Sequence, residues 1–328
     1  MSPIKFDNRD LEEVSSHKHL GLTFNKNLTW NNHIDNIYLN ANKKVILLSK
    51  LKNFIDRKTL EIMYTSFIRP SIEYASIIWN NCSETDGERL ESIQKRAARI
   101  ITGGIIRTSS ELLYEEVGLE KLAKRRDRSL LLFFHKIMFG QCPQYLLTLK
   151  PPLRHARHNR NLRSRNVLDV PKARLEKYRN SVIPKAIRLW NELSNESKAI
   201  AEYKLFKECL YKNVPQVNEL FYLGNREINI ILARLRMKCS DLNGHLFQLK
   251  IIDNPSCKCG YFFEDSVHYF IVCPLFQQQR NALLNYVIAH APFSLHILLN
   301  GSPELDNKVN KNIYLRVIEY VKNTKRFD

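Results

Sequence analysis

Three cysteines and one histidine stand close together late in the chain, as Cys257-x-Cys259-x8-His268-x4-Cys273, all within 17 residues. Thiolate sulfur and imidazole nitrogen are the donors that zinc takes in closed, four-coordinate structural sites. Gly260, directly after the second cysteine, permits the tight turn that lets both thiolates face one ion, and Ser266 to Cys273 would bring His268 and Cys273 onto it from a helix or turn. The competing reading is three buried cysteines beside a surface histidine. Clustering at ligand spacing is uncommon by chance and favours the metal. The site is expected to be structural, because four protein donors leave no open position for chemistry. The other cysteines, Cys82, Cys142, Cys209 and Cys239, stand alone, and seven is an odd total, so a disulfide framework is not expected. Those four are expected as small buried hydrophobes.

The second chemical feature is cationic. The formal net charge is +18 with a pI of 9.6, which suits a polyanionic partner. Its distribution is uneven. Residues 1–88 carry 11 basic and 11 acidic side chains, whereas residues 150–188 carry 12 basic side chains against Asp169 and Glu176 alone. Within that stretch Arg154, Arg157, Arg160, Arg163 and Arg165, with His155 and His158 between them, have no amphipathic period and could neutralise successive phosphates. Arginine in place of lysine favours bidentate phosphate contacts. The bland alternative is a solvated linker. A second cluster, Lys121, Lys124, Arg125, Arg126 and Arg128, falls on a helical stretch, where it reads equally as a nucleic-acid contact or as a charged outer face. The sequence shows no adjacent pair of aspartates, no glycine-rich phosphate loop, no Gly-x-Ser-x-Gly and no His-Glu-x-x-His. Catalysis is therefore not expected.

The elements that must position these groups are mostly helices. Ile34, Ile37, Tyr38, Ala41, Val45, Leu48 and Leu51 keep helical spacing. A second helix begins near Arg57, with Pro70 expected to kink or break it before the chain resumes over 72–79. Asp86 is expected to cap a third helix that stops at Gly103-Gly104, and a fourth spans 120–139 and stops at Gly140. His19 to Phe24 is expected as a short strand. Helical order returns over 178–193, with a possible kink at Pro184, and over 227–239. Apolar runs reach about five residues, as at Leu130–Phe134, far short of the roughly 20 a membrane-spanning helix needs. The amino terminus lacks the charged-then-apolar pattern of a secretory signal, so an intracellular protein, nuclear or cytoplasmic, is expected.

Several stretches together resemble a known family. His19-Leu20-Gly21-Leu22-Thr23-Phe24, Leu28-Thr29-Trp30-x-x-His33-Ile34 and Ile68-Arg69-Pro70-Ser71-Ile72-Glu73-Tyr74-Ala75 resemble the non-LTR, jockey-like retrotransposon reverse transcriptases. The run Leu90 to Gly103 and the run Ile187-Arg188-Leu189-Trp190-Asn191-Glu192-Leu193 look like the same family's downstream region, so the resemblance covers roughly residues 15–280. It implies that Leu20 and Gly21 match a segment gripping the primer, that the helices after them form a thumb and connector, and that the Cys/His cluster is a CCHC zinc knuckle holding RNA or DNA. The family's catalytic aspartates would stand before the start of this chain.

The fold expected is mainly α: a helical thumb-like bundle with a short β element and a small CCHC zinc module. Its segments are a primer-grip-like remnant of the palm (1–30), a thumb and connector (31–150), a basic linker (151–177), a helical region (178–250), the zinc module (251–285) and a helical tail (286–328). The function expected is a non-catalytic, nucleic-acid-binding remnant of such an enzyme. Two alternatives stay open: an accessory portion of a polymerase acting with a separately supplied palm, and a protein-interaction scaffold.

Overall fold

A computed structural model describes residues 5–7, 9–154 and 167–328. It is mainly helical, with two small antiparallel two-stranded sheets near the start of the chain. The described residues gather into two units of interleaved chain: residues 1–43, 69–93 and 121–213 in one, and residues 44–68, 94–120 and 214–328 in the other. Helices that pack together come from distant parts of the chain, and linear composition does not reveal such pairings.

In the first unit, the expected strand is a hairpin, Ser16–His19 paired with Leu22–Asn25 in the register His19↔Leu22. Leu20 and Gly21 both have positive φ, 45° and 82°, as the central pair of a two-residue hairpin turn requires. The sequence expectation missed the turn because a leucine at its first position hides it. Tyr74 secures this tip: its hydroxyl donates to the Leu20 carbonyl at 3.1 Å, and a Cβ on Gly21 would lie 3.1 Å from its ring. Behind the hairpin, Phe24, Trp30, His33 and Trp79 form a chain of tilted and edge-on aromatic contacts. The unit's main core joins Leu130, Phe134 and Ile137 of helix Leu122–Met138 to Ala186, Ile187 and Trp190 of helix Val182–Glu192 and to Phe206. His135, fully buried, stacks on Phe206 at 4.3 Å between ring centres.

Helix stops fall where glycine supplies the left-handed conformation, at Gly103 (φ 71°) and Gly140 (φ 70°). Other expectations need correction. Ser83, not Asp86, caps helix Glu84–Thr102: its hydroxyl accepts the Asp86 N–H at 3.1 Å, and Asp86 is a buried first-turn residue. Pro184 causes no kink, because it sits in the first turn of Val182–Glu192, where a missing N–H removes no helical bond. Ahead of Pro70 the helix widens into a π turn, Tyr64–Ile68, before Arg69–Glu73 resumes it. Such a turn absorbs the register change that a helix-interior proline demands. Only Cys239 of the four isolated cysteines is buried; Cys82 and Cys142 are half-buried and Cys209 is exposed.

The second unit has one large core. Leu232 and Leu235 of helix Arg226–Arg236, Tyr269 and Phe270, Leu283 and Val287 of helix Gln277–His290, and Tyr314, Val317 and Tyr320 of helix Asn307–Thr324 belong to it. Residues from both 251–285 and 286–328 contribute to this core. A buried ionic group is set beside this core. Glu116 Oε1 accepts from both Arg57 Nη1 and Arg236 Nη2 at 2.6 Å, its Oε2 accepts from Arg236 Nε at 2.8 Å, and Arg236 also donates to the Tyr314 hydroxyl at 2.8 Å. The Arg57 and Glu116 side chains are 1% and 4% exposed. Two guanidiniums around one carboxylate stay buried because each is paired and hydrogen-bonded.

Candidate metal centre and basic surfaces

Cys257 and Cys259 lie on a tight turn. The Cys257 N–H donates to the Tyr261 carbonyl at 2.9 Å and the Gly260 N–H to the Cys257 carbonyl at 3.0 Å. Gly260 has φ 91°, and a Cβ there would meet nothing within 4 Å, so conformation and not space selects glycine. His268 opens a π-helical turn, His268–Val272. Asp265 fixes the start of that turn by accepting the His268 N–H at 2.7 Å, and the Cys273 N–H returns to the His268 carbonyl at 2.8 Å. Arg280, 6% exposed, donates to the carbonyls of Phe270 and Cys273 and so clamps the turn from behind.

These backbone devices bring the four donor atoms within 4.8 Å of one another. Cys257 Sγ and Cys273 Sγ are 3.8 Å apart, and Cys259 Sγ is 3.4 Å from His268 Nε2. Around a tetrahedral zinc with sulfur at about 2.3 Å and nitrogen at about 2.05 Å, those edges would measure roughly 3.8 and 3.6 Å. The donor set and its spacing fit such an ion. The His268 ring is held by parallel stacking on Tyr261, with centres 4.4 Å apart and planes 9° apart, while its buried Nδ1 has no hydrogen-bond partner. Stacking thus fixes the orientation of the ring, a part that a hydrogen-bond acceptor on the second nitrogen usually plays for a ligating imidazole.

The protonation of the cluster is uneven. Burial pushes the Cys257 thiol up to about 12 and raises that of Cys273. Burial would also raise Cys259, but hydrogen bonds from the Tyr261 N–H and from the other two cysteines more than offset it and leave it lowered. A metal entering this cluster must therefore displace protons, chiefly from Cys257 and Cys273.

Further tethers to this region were not legible in the sequence. Glu264, 2% exposed, accepts the Asn243 N–H at 2.9 Å and both Nε and Nη2 of Arg326, at 2.8 and 2.5 Å. The Gly244 N–H donates to the Glu264 carbonyl at 2.8 Å, and a Cβ on Gly244 would lie 2.6 Å from that same oxygen. A glycine inside a short helix was the available signal.

The cationic residues behave differently from one another. Arg154 is exposed, and its N–H donates to the Val167 carbonyl at 2.9 Å beside the Leu153↔Leu168 bridge. Arg157, Arg160, Arg163 and Arg165 lie outside the described residues. In the second cluster Lys121 and Lys124 are exposed, but three arginines turn inward. Arg125 grips Glu73 with Nε at 2.5 Å and Nη2 at 3.0 Å; Arg126 is 5% exposed, donates to Asn80 Oδ1 and lies over the Trp79 ring; Arg128 lies over the Tyr211 ring, 4.4 Å from its centre. The reading as a charged outer face does not describe Arg126 and Arg128, which are buried. Their partners lie tens of residues away in sequence, which helical periodicity cannot show. Leu20 is 77% exposed at the hairpin tip and Gly21 is packed under Tyr74.

Over 106 residues the chain is 26% identical to the "Probable RNA-directed DNA polymerase from transposon X-element" of Drosophila melanogaster. The chain is similar to part of a transposon polymerase. The matched stretch is 31% of this chain and spans 12% of that protein's length. No protein-family model matches the chain, and no solved structure matches it. Among the described residues, no helix is long and apolar enough to cross a membrane.

Proposed function

We propose that this chain is a non-catalytic, nucleic-acid-binding portion of a non-LTR, jockey-like retrotransposon reverse transcriptase, in which zinc closes the CCHC cluster. The likeness to part of a transposon RNA-directed DNA polymerase carries the reading. The net charge of +18 and the arginine run Arg154 to Arg165 agree with a phosphate-bearing partner, RNA or DNA. Cys257, Cys259, His268 and Cys273 would hold the zinc, which would cross-link the 257–260 turn to the 268–273 turn and take no part in bond making. Phosphoryl transfer by two metal ions needs clustered carboxylates. The sequence has no adjacent aspartates to supply them.

Two assays on the intact chain test the reading. Fluorescence anisotropy with labelled single-stranded RNA, single-stranded DNA and duplex DNA should show binding that weakens steeply as salt rises. Primer extension with Mg²⁺ or Mn²⁺ should show no templated synthesis. Synthesis by the chain alone would overturn the non-catalytic assignment. Because the chain spans a small part of the matched polymerase, a second reading follows, in which it assists a separately supplied palm. Restored extension on mixing the chain with such a palm would select that reading.

A further inference from the structure

Three cavities lined by described residues differ in their polar groups. One of about 750 Å³ around Asn218, Asn300 and Asn310 has its Asn218 and Asn310 amides engaged within the fold. Asn310 serves the Ser302 N–H and the Ser302 and Leu305 carbonyls, and Asn218 serves the Leu220 N–H and the Asn300 carbonyl. A cavity of about 570 Å³ beside Trp30 offers two lysines, but Lys177 donates to the Asn27 carbonyl and Lys185 is paired with Asp127 at 2.7 Å. The third, about 370 Å³, differs. It lies beside the candidate metal centre, and its polar lining is left unfinished.

Ser266 lines this third cavity, is 6% exposed, and its hydroxyl has no hydrogen-bond partner. A buried hydroxyl without a partner costs free energy that a suitable ligand atom would recover. His245, 3% exposed, lines it as well. Its Nδ1 is engaged by the Ser240 hydroxyl at 2.7 Å, so Nε2 is the ring nitrogen available to a ligand. Burial holds this imidazole neutral at ordinary pH. Gln248 adds an amide that both donates and accepts. Phe263 and Leu295 supply apolar walls; of the charged residues on the lining, Arg236 is paired with Glu116 and Asp265 accepts the His268 N–H, which leaves exposed Lys238 as the cation open to a ligand.

We infer that this cavity receives one unpaired nucleobase of a single-stranded nucleic acid. The inference rests on the nucleic-acid-binding reading above and adds a place where base identity is read. A base is a flat apolar ring with donors and acceptors on its edge, and it is joined to a phosphate. The cavity has the matching parts: apolar walls, neutral hydrogen-bonding groups at Ser266, His245 and Gln248, and a lysine for the phosphate. Its volume lies within the range of small-ligand pockets, about 300–1,000 Å³. A site for phosphate alone would not need the neutral groups.

The test uses the intact zinc-loaded chain. The four nucleoside 5′-monophosphates and, as control, ribose 5-phosphate are titrated and followed by ligand-observed NMR. A single-stranded oligonucleotide and its fully abasic counterpart are titrated by anisotropy. At least one nucleotide should bind and ribose 5-phosphate should not, and the abasic strand should bind more weakly. Ser266→Val and Gln248→Leu should each lower nucleotide affinity about tenfold, the scale of one lost hydrogen bond. Val267→Trp, placed at a lining residue that is 45% exposed, should block the cavity without disturbing the core. Zinc content and the salt dependence of oligonucleotide binding should stay as in the parent. Equal binding of the abasic strand, or nucleotide binding unchanged in the Val267→Trp variant, overturns the base site while leaving nucleic-acid binding intact. No binding of any strand overturns both.

Discussion

Replacing Glu116 with glutamine should unfold the second unit at markedly lower temperature, although the side chain keeps its shape. In the structure one oxygen of this carboxylate accepts from both Arg57 and Arg236 at 2.6 Å, and the Glu116, Arg57 and Arg236 side chains are 4%, 1% and 5% exposed. Removing the Glu116 charge leaves the buried Arg236 guanidinium without a carboxylate partner and Arg57 with Glu61 alone, at 2.9 Å. Breaking a buried pair by deleting one partner costs about 3–5 kcal/mol, chiefly because an uncompensated charge is left away from water. In a unit of this size each kcal/mol corresponds to about 2–4 °C, so the midpoint should fall by roughly 6–20 °C. Differential scanning calorimetry on the zinc-loaded chain reads this directly. Because Glu61 is also paired with Arg57 at 2.9 Å, the quadruple change Arg57→Met, Glu61→Gln, Glu116→Leu and Arg236→Met is the one that removes the connected charges together, and it should recover much of the loss, since well-packed uncharged replacements of buried ion groups are often neutral or stabilising. A loss below about 1 kcal/mol in Glu116→Gln would refute the reasoning, because it would mean water reaches the arginines.

Acid should weaken the fold through His245, whose folded value is lowered by burial to about 4 from an ordinary 6.5. The unfolded chain binds the extra proton first, so stability is full above about pH 6.5 and is lost as pH falls towards 4, by roughly 3 kcal/mol in all. Urea titrations at pH 7 and pH 4 should show that loss in the parent and a smaller one in His245→Gln; equal losses would remove His245 as the cause. Gly244→Ala should destabilise by about 1–3 kcal/mol, since its methyl meets the Glu264 carbonyl and breaks the 2.8 Å bond there. An unchanged thermal midpoint would contradict that contact. Elemental analysis should find one zinc per chain in the parent and none in the Cys257→Ser, Cys273→Ser double variant, with metal binding contributing on the order of 10 kcal/mol to local folding. Zinc retained in the double variant would show the ligand set to be wrong.

The parts of this account that were legible in the sequence are those encoded locally. The Cys/His ligands announce themselves by spacing, Gly103 and Gly140 stop their helices as glycine does, and the face Ile34, Ala41, Val45 and Leu48 is buried as its period requires. What escaped depends on distant partners. Helical pattern places Arg125 and Arg126 on a helix but cannot reveal that Glu73, Asn80 and Trp79 wait for them. Nothing in the sequence around Glu116 signals Arg57 or Arg236, which close on it from 59 and 120 residues away. The hairpin was half seen because Leu20 occupies a left-handed position that asparagine or glycine would have advertised. Helix Asn307–Thr324 carries a readable apolar face in Ile313, Tyr314, Val317 and Val321, yet nothing local says that this face completes the core containing Tyr269 and Phe270, next to His268.

The central claim, that the chain binds nucleic acid through serial phosphate contacts, is tested most directly by the salt dependence of duplex DNA binding. Five contacts from Arg154, Arg157, Arg160, Arg163 and Arg165 predict a slope of about -4.5 in log affinity against log salt, and about -3.5 for single strands. Changing Arg157, Arg160 and Arg163 to alanine should flatten the duplex slope by roughly 2–3 units. Binding that does not respond to salt, or a slope that survives the triple change unaltered, would contradict the account.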